Sequence, residues 1–449
     1  MTINPKIFKA YDIRGKEGQD LTPEFAKRLG GVYVMWLKKK INKNNPLIIV
    51  SHDVRELSPI LAKNLAEGMS LAGADVVFAG ESSTSMYYFV VNITNADGGI
   101  MVTASHNPKG DNGFKICLSG AVTVGLGGGL EEIQLLMESE VEFTGEKKGK
   151  IETKFFLNDY VNFLAQIKVD YKEKIVIDCA NGAAGPIMEE ILSRSNLNAE
   201  KLFFEADSNF PNHDPNPLKE GALNKLVTKI KEVDAELGIA FDADGDRAFF
   251  IKKDGLLVSA DDIAIILSRY FLQKQKGENI VLDLRMSRKV LEEIKKSGGS
   301  VIINKVGHTF IKSAMRKHSA VFGAELSGHY YFKDFFFADG GVFAALMVLK
   351  VLAQTNKTLE EEIQDLHTYA KSEEMNFKIE NALILIEKLK EKFKDGEQKN
   401  IDGLSVDYPD WWFNLRASNT EPLVRLVVEA KNKELLDEKI GEIKAIILG

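Results

Sequence analysis

Three segments of this 449-residue chain repeat one order of events. Each has an apolar run, a polar loop, a helical stretch, a second apolar run with its loop, and a third run ending in a loop of reactive side chains. The first copy runs through Leu47, Ile48, Ile49 and Val50, the loop S-H-D-V-R-E-L-S-P, a helical stretch over 60–71, a run over 74–79 with E-S-S-T-S, and a run over 98–102. The second opens at Lys174, Ile175, Val176 and Ile177 with D-C-A-N-G-A-A-G. It continues through a helix over 186–193 and a run over 201–204, and ends in a run over 237–241. The third opens at Ile280, Val281 and Leu282 with D-L-R-M-S-R. A helix to 296, a run over 300–303 with K-V-G-H-T-F, and a run over 320–322 follow. Short continuous apolar runs alternating with helices predict sheets buried on both faces. Ligand loops in such sheets lie beyond the strand ends, where helix N-termini point. The loops T-A-S-H-N-P, D-A-D-G-D-R and G-A-E-L-S-G-H are therefore expected at equivalent places in three similar domains lining one cleft.

The tail breaks the pattern. A strand-like M-N-F-K-I-E, a helix over 384–393, a run over 411–415, the loop R-A-S-N-T-E-P, alternating residues over 423–429 and an amphipathic helix over 434–448 predict a small sheet with helices on one face. The expected fold is α/β: four domains around a central cleft, the first three of shared mixed-sheet topology, the fourth a small α+β domain. Expected boundaries are 1–150, 151–253, 254–367 and 368–449.

A composition of 45% hydrophobic and 27% charged residues is that of a globular protein. The net charge of -7, with Lys and Arg dispersed, argues against nucleic acid or an anionic membrane as partner. No apolar stretch approaches the ~20 residues that span a bilayer, and the first residues lack a signal-peptide layout. A cytoplasmic, monomeric enzyme or binding protein is expected. Cys117 and Cys179 have apolar neighbours and no metal-ligand spacing, so they are read as buried thiols.

Ser105 follows the run over 98–102 and precedes His106 and a Pro-stopped turn, so it is expected to be presented rather than packed. Asp242, Asp244 and Asp246 alternate across a tight turn, and three carboxylates that close ionise together only around a cation. Hard oxygen ligands select Mg²⁺, Ca²⁺ or Mn²⁺. An EF-hand fails, because Arg247 stands where glycine is required and Lys253 where a bidentate glutamate is required. A phosphate oxygen on Ser105 would complete the metal's shell, and Arg247 could steady the same phosphate. Lys115, read as lying at a strand start, could shuttle a sugar-hydroxyl proton. Tyr11 and Arg14 add a possible phosphate contact. Arg416, Ser418, Asn419 and Thr420, with Arg425, suit a dianionic phosphate. Glu325 and Ser327, near His329, offer the donors and acceptor that paired sugar hydroxyls require. The glycines at 125 and 127–129 are a flexible turn, since no G-K-[ST] follows them.

Taken in order, T-A-S-H-N-P, D-A-D-G-D-R, G-x-E-x-S-G-H and R-x-S-N-T-E-P resemble the α-D-phosphohexomutase family over the whole chain, including the opening K-A-Y-D-I-R-G. K-V-G-H-T-F-I-K and A-E-L-S-G-H-Y-Y-F-K-D-F look like the bacterial phosphomannomutase/phosphoglucomutase type, less like phosphoglucosamine mutases. The resemblance implies a phosphoserine at Ser105, with Mg²⁺ on Ser105, Asp242, Asp244 and Asp246. It implies Lys115 as general acid/base, and Glu325 and Ser327 as ligands of sugar hydroxyls. Arg416, Ser418, Asn419 and Thr420 would hold the phosphate not being transferred, and His106, His308, Arg247 and Arg14 would belong to the site. It implies interconversion of hexose 1- and 6-phosphates through a 1,6-bisphosphate. A metal-dependent phosphatase with a transient phosphoserine is the rival chemistry, and the separate distal clamp favours the mutase. Two departures stand out: Ser51-His52-Asp53 replaces the more usual Gly-Arg-Asp, and Arg285 stands where related mutases often carry lysine.

Overall fold

The computed structural model describes residues 3–140, 142–143, 147–366, 368–379, 381–417 and 423–448. The chain divides into two compact units, Met1–Val258 with Ser327–Leu359, and Ser259–Leu326 with Glu360–Gly449.

In the first unit the leading sheet runs Ile13–Lys16, Asp111–Leu118, Gly98–Val102, Leu47–His52, Asp75–Glu81 and Ile151–Thr153, with Val122–Thr123 paired to Asp111–Leu118. Its middle strands are parallel and Asp111–Leu118 is antiparallel to Gly98–Val102. Ile48, Ile49, Val50, Ile100, Met101 and Val102 are fully buried, as continuous apolar runs require. The helix Pro23–Ile41 is started by Thr22, whose hydroxyl accepts from Phe25 N, and by Pro23 in its first turn; it ends at Asn42 in the left-handed region. It crosses the helix Ser58–Leu71 backbone to backbone: a Cβ on Gly68 would lie 1.8 Å from the Lys27 carbonyl oxygen. The second sheet runs Ala248–Lys252, Leu237–Phe241, Ile175–Asp178 and Ala199–Leu202. Leu237–Phe241 is parallel to Ile175–Asp178 and forms an antiparallel hairpin with Ala248–Lys252. The short hairpin Tyr330–Phe332 with Ala338–Asp339 and the apolar helix Gly341–Thr355 complete this unit.

In the second unit Ser300–Asn304, Asn279–Asp283 and Phe322–Ala324 form parallel neighbours. Its other sheet is antiparallel, with order Ala370–Lys371, Leu423–Ala430, Trp411–Ala417, Leu404–Asp407 and Glu397–Lys399, and with Met375–Lys378 also paired to Leu423–Ala430. The helices Ala382–Lys392 and Lys433–Leu448 share a core with that sheet.

Three helices between second and third runs lie outside the pattern of apolar runs: Thr84–Ile93, Asn224–Glu232 and His308–Lys317. Thr84–Ile93 is buried on all sides through Val91, so it has no polar stripe to reveal its period. Asn224–Glu232 does carry a helical period, with Leu223, Leu226, Val227, Ile230 and Val233 packed into one core, so this helix was legible in the sequence. The polar strand Glu397–Lys399 and its partner Leu404–Asp407 were also missed. Lys115 lies inside Asp111–Leu118, opposite Met101, rather than at a strand start. Among the described residues no helix is long and apolar enough to cross a membrane.

Candidate functional site

The strand Gly98–Val102 delivers Ser105 into a loop held from two sides. Ser105 adopts φ +52, a left-handed conformation that a non-glycine residue keeps only where its surroundings impose it. Its N–H donates to Thr103 Oγ1 at 2.8 Å, and its carbonyl accepts from Arg55 Nη2 at 2.7 Å. Arg55 also donates to the carbonyls of Asn107 at 2.5 Å, Pro108 at 3.0 Å and Asp111 at 3.1 Å. Asp53 orients Arg55 across an ion pair of 3.2 Å and accepts from Ser58 Oγ at 2.6 Å. Arg14 donates to the Ala104 carbonyl and pairs with Asp12 at 2.7 Å. Ser105 is thereby enclosed, at 3% exposure, rather than presented to solvent as its turn composition suggests. Its Oγ lies 3.2 Å from His106 Nδ1. Tyr11 is half-buried just ahead of the strand that carries Arg14.

The aspartate loop closes the hairpin in which Phe241 faces Ala248, with Gly245 at φ +68 permitting the tight turn. Asp242, Asp244 and Asp246 are all buried, with ligand oxygens within 4.8 Å of one another. Arg247 donates to Asp242 from N at 3.1 Å and from Nε at 2.8 Å. Lys115 Nζ bridges Asp244 Oδ2 at 2.7 Å and Asp246 Oδ2 at 2.6 Å. Thr84, at the start of the helix Thr84–Ile93, donates its hydroxyl to Asp244 Oδ2 at 2.6 Å and its N–H to the Asp244 carbonyl at 2.9 Å. In the sequence Thr84 stands only in the polar loop E-S-S-T-S. Ser327 Oγ meets His329 Nδ1 at 2.9 Å, and His329 Nε2 lies 3.4 Å from Asp246 Oδ1.

One electrostatic field joins the two loops. Burial, then the Arg247 and Arg14 guanidiniums, push the His106 imidazole well below its ordinary pKa, while Asp246 pulls the other way. Burial opposes the Lys115 charge, but Asp244 and Asp246 outweigh it and hold the ammonium above its ordinary value. Burial raises Asp242, with Asp246 and Asp244 adding to it against Arg247. On Asp246 burial is outweighed by Lys115 and His329, which hold its carboxyl well below the usual range. Lys115, Arg247 and His329 thus do not relieve the crowding of the three carboxylates, since Asp242 stays raised beside Asp246 and Asp244. Asp244 Oδ1 is buried with no hydrogen-bond partner among the described residues. Crowded carboxylates, an orphaned carboxylate oxygen and an all-oxygen donor set fit a hard divalent cation.

The second unit holds another constellation. Arg285 forks onto Asp283, Nε to Oδ1 at 3.1 Å and Nη2 to Oδ2 at 2.7 Å, while its Nη1 donates to Glu374 at 2.9 Å. Lysine could not span both carboxylates with this planar fork. Arg416 and Arg425 stand opposite each other in register and both reach Glu374. Leu326 N donates to Asp283 Oδ2 at 2.8 Å, and Gly307 N to Glu325 Oε1 at 2.6 Å, so Glu325 anchors the turn that starts the helix His308–Lys317. Ser418, Asn419 and Thr420 lie outside the described residues. The structure gathers Arg285, Arg416 and Arg425 around one acid, and ties Glu325 to the turn before His308. Glu374 had no sequence signal, since an acid in a polar S-E-E turn reads as solvated.

Comparison with known proteins returns one family. Its four descriptions are phosphoglucomutase/phosphomannomutase alpha/beta/alpha domain I over residues 5–154, domain II over 158–255, domain III over 259–369, and the C-terminal domain over 374–445. A phosphomannomutase of Vibrio cholerae is 38% identical over 98% of each chain. A phosphomannomutase/phosphoglucomutase of Pseudomonas syringae is 34% identical over 97% of this chain and 93% of that one. The solved structure of a phosphoglucomutase/phosphomannomutase family protein from Burkholderia thailandensis, 31% identical, superposes with a TM-score of 0.90 over 99% of this chain and 98% of that one.

Proposed function

This chain belongs to the phosphoglucomutase/phosphomannomutase family, and from that premise we propose that it interconverts hexose 1-phosphate and hexose 6-phosphate, with mannose or glucose as the sugar. The observation that carries the reading is the pairing, in one unit, of a strained and doubly braced Ser105 with a buried aspartate hairpin whose charge reaches His106. The four domains are taken as 1–150, 151–253, 254–367 and 368–449.

In the proposed cycle Ser105 carries the phosphoryl group. A hydroxyl of the bound hexose monophosphate attacks phosphorus; the bond to Ser105 Oγ breaks as the bond to the sugar oxygen forms, and the hydroxyl proton passes to Lys115 as its neutral amine, a form that requires Asp244 and Asp246 to be engaged by the metal instead of by the ammonium. The resulting hexose 1,6-bisphosphate presents its other phosphoryl group. Ser105 Oγ attacks the phosphorus of that group, the bond from phosphorus to the sugar oxygen breaks, and Lys115 gives the proton back to the departing sugar oxygen. His106 orients Oγ, and Arg247 and Arg14 face the phosphoryl oxygens; Arg247 Nη2 has no hydrogen-bond partner among the described residues. Mg²⁺, held by Asp242, Asp244, Asp246 and the seryl phosphate, would neutralise charge on the transferring group. Arg416 and Arg425, with Ser418, Asn419 and Thr420, would hold the other phosphate, supported by Arg285. Glu325, Ser327, His308 and Tyr11 would meet the sugar.

The test is a coupled assay on mannose 1-phosphate and glucose 1-phosphate, with and without Mg²⁺ and catalytic bisphosphate. Hexose 6-phosphate should form with both additions, and Ser105→Ala should lower kcat by at least ~10³. Release of inorganic phosphate with no hexose 6-phosphate would identify a phosphatase and overturn the proposal.

A further inference from the structure

Glu374 lies at the break between the strand segments Ala370–Lys371 and Met375–Lys378, which both run antiparallel along Leu423–Ala430. Its carboxylate accepts from Arg285 Nη1 at 2.9 Å and Arg416 Nη2 at 3.1 Å on Oε2, and from Arg425 Nη1 at 3.3 Å on Oε1. These are the arginines assigned to phosphate. Two of them are immobile: Arg285 is forked onto Asp283, and Arg416 is buried within the strand Trp411–Ala417. Glu374 is the member that can leave, because it stands where the edge strand breaks its pairing and 19% of its side chain is exposed, against 3% for Arg416.

The carboxylate satisfies the cluster incompletely. Arg416 Nε is buried with no hydrogen-bond partner among the described residues. A phosphate offers three oxygens where a carboxylate offers two, and so has an acceptor to spare for further donors. Charge points the same way. The three guanidiniums are met by Asp283 and Glu374, and Glu325 also acts on Arg285, so while Glu374 holds the cluster it has no positive charge to spare for a dianionic phosphate. With both anions present the group would be negative, so the two exclude each other.

We propose that Glu374 is an internal anion, a positioning residue that closes the arginine cluster when no phosphosugar is bound and yields it to the ligand's phosphate. The inference rests on the mutase reading and deepens it. A bisphosphate that must let go of one clamp between half-reactions is poorly served by three uncompensated guanidiniums, which would retain it. A competing carboxylate lowers the apparent affinity by the fraction of time it holds the cluster.

The experiment is calorimetric titration of the full chain with inorganic phosphate. Glu374→Gln keeps the shape and removes the charge, and its Kd for phosphate should fall about tenfold below that of the parent chain. In the assay, inorganic phosphate should compete with hexose 1-phosphate more strongly by a similar factor. Glu374→Asp, charged but shorter in reach, should fall between the two. An unchanged or weaker Kd in a folded Glu374→Gln chain would overturn the proposal and make Glu374 a brace for the arginines. If that variant does not fold, Glu374→Asp decides by the same criterion. Calorimetry needs no turnover, so the two readings fail separately. Tighter phosphate binding in a chain without mutase activity would sink the function and keep this inference, and mutase activity without tightening would do the reverse.

Discussion

Arg55 touches none of the atoms that react in the proposed cycle, yet the serine loop depends on it. One buried guanidinium collects the carbonyls of Ser105, Asn107, Pro108 and Asp111, and Asp53 holds it in register. Lysine has the charge but not the fork, so it could serve only some of these acceptors. Arg55→Lys is expected to lower kcat by about 10–100-fold, because misplacement of a reacting group by a fraction of an ångström is costly. The same variant should still unfold cooperatively in urea, and an unaltered kcat would refute the bracing role. Ser105 and the three aspartates were legible because their chemical types cluster along the chain. Arg55 was not, because its partners are main-chain carbonyls, which any sequence supplies. Thr84 was hidden for a related reason: its partner, Asp244, lies 160 residues away.

Elements explain why Glu374 was invisible and how it can be detected. Its three arginines come from the loop after Asn279–Asp283 and from the facing strands Trp411–Ala417 and Leu423–Ala430, so no window of sequence contains the constellation. The strands themselves were legible as apolar runs, whereas the helix Thr84–Ile93, buried on every side through Val91, carried no polar stripe to set its period. Burial would raise the Glu374 carboxyl, but Arg285, Arg416 and Arg425 outweigh it and bring it down to about 2, from an ordinary 4.5. A depressed carboxyl stabilises the folded state fully above its unfolded pKa and loses that contribution as pH falls towards the folded value. Stability of the ligand-free chain should therefore drop between about pH 4.5 and 2 by an amount that Glu374→Gln removes. Urea midpoints measured across that range should fall less steeply for the variant, and parallel curves would show that the ion cluster does not stabilise the fold.

At the scale of the molecule, the repeat read from the sequence corresponds to parallel strands whose ends deliver each reactive loop: Gly98–Val102 to Ser105, Leu237–Phe241 to the aspartates, and Phe322–Ala324 to Glu325. Periodicity reveals such an arrangement because buried parallel strands must be apolar throughout. It does not reveal the charge balance inside a hairpin, which depends on what the fold brings in from elsewhere. Lys115, Arg247 and His329 leave the Asp242 carboxyl raised by burial and by its two neighbours, so folding the chain without a divalent ion crowds three buried carboxyl groups together. An ion bound only by the folded state adds stability by mass action, about 2.7 kcal/mol at a hundredfold its Kd. Scanning calorimetry of the full chain should therefore show unfolding at higher temperature with Mg²⁺ than with a chelator. Asp244→Asn removes one ligand charge and should abolish most of that shift while keeping the transition cooperative. An equal Mg²⁺ shift in the variant would place the ion elsewhere, and no shift in the parent chain would mean that Lys115 and Arg247 suffice.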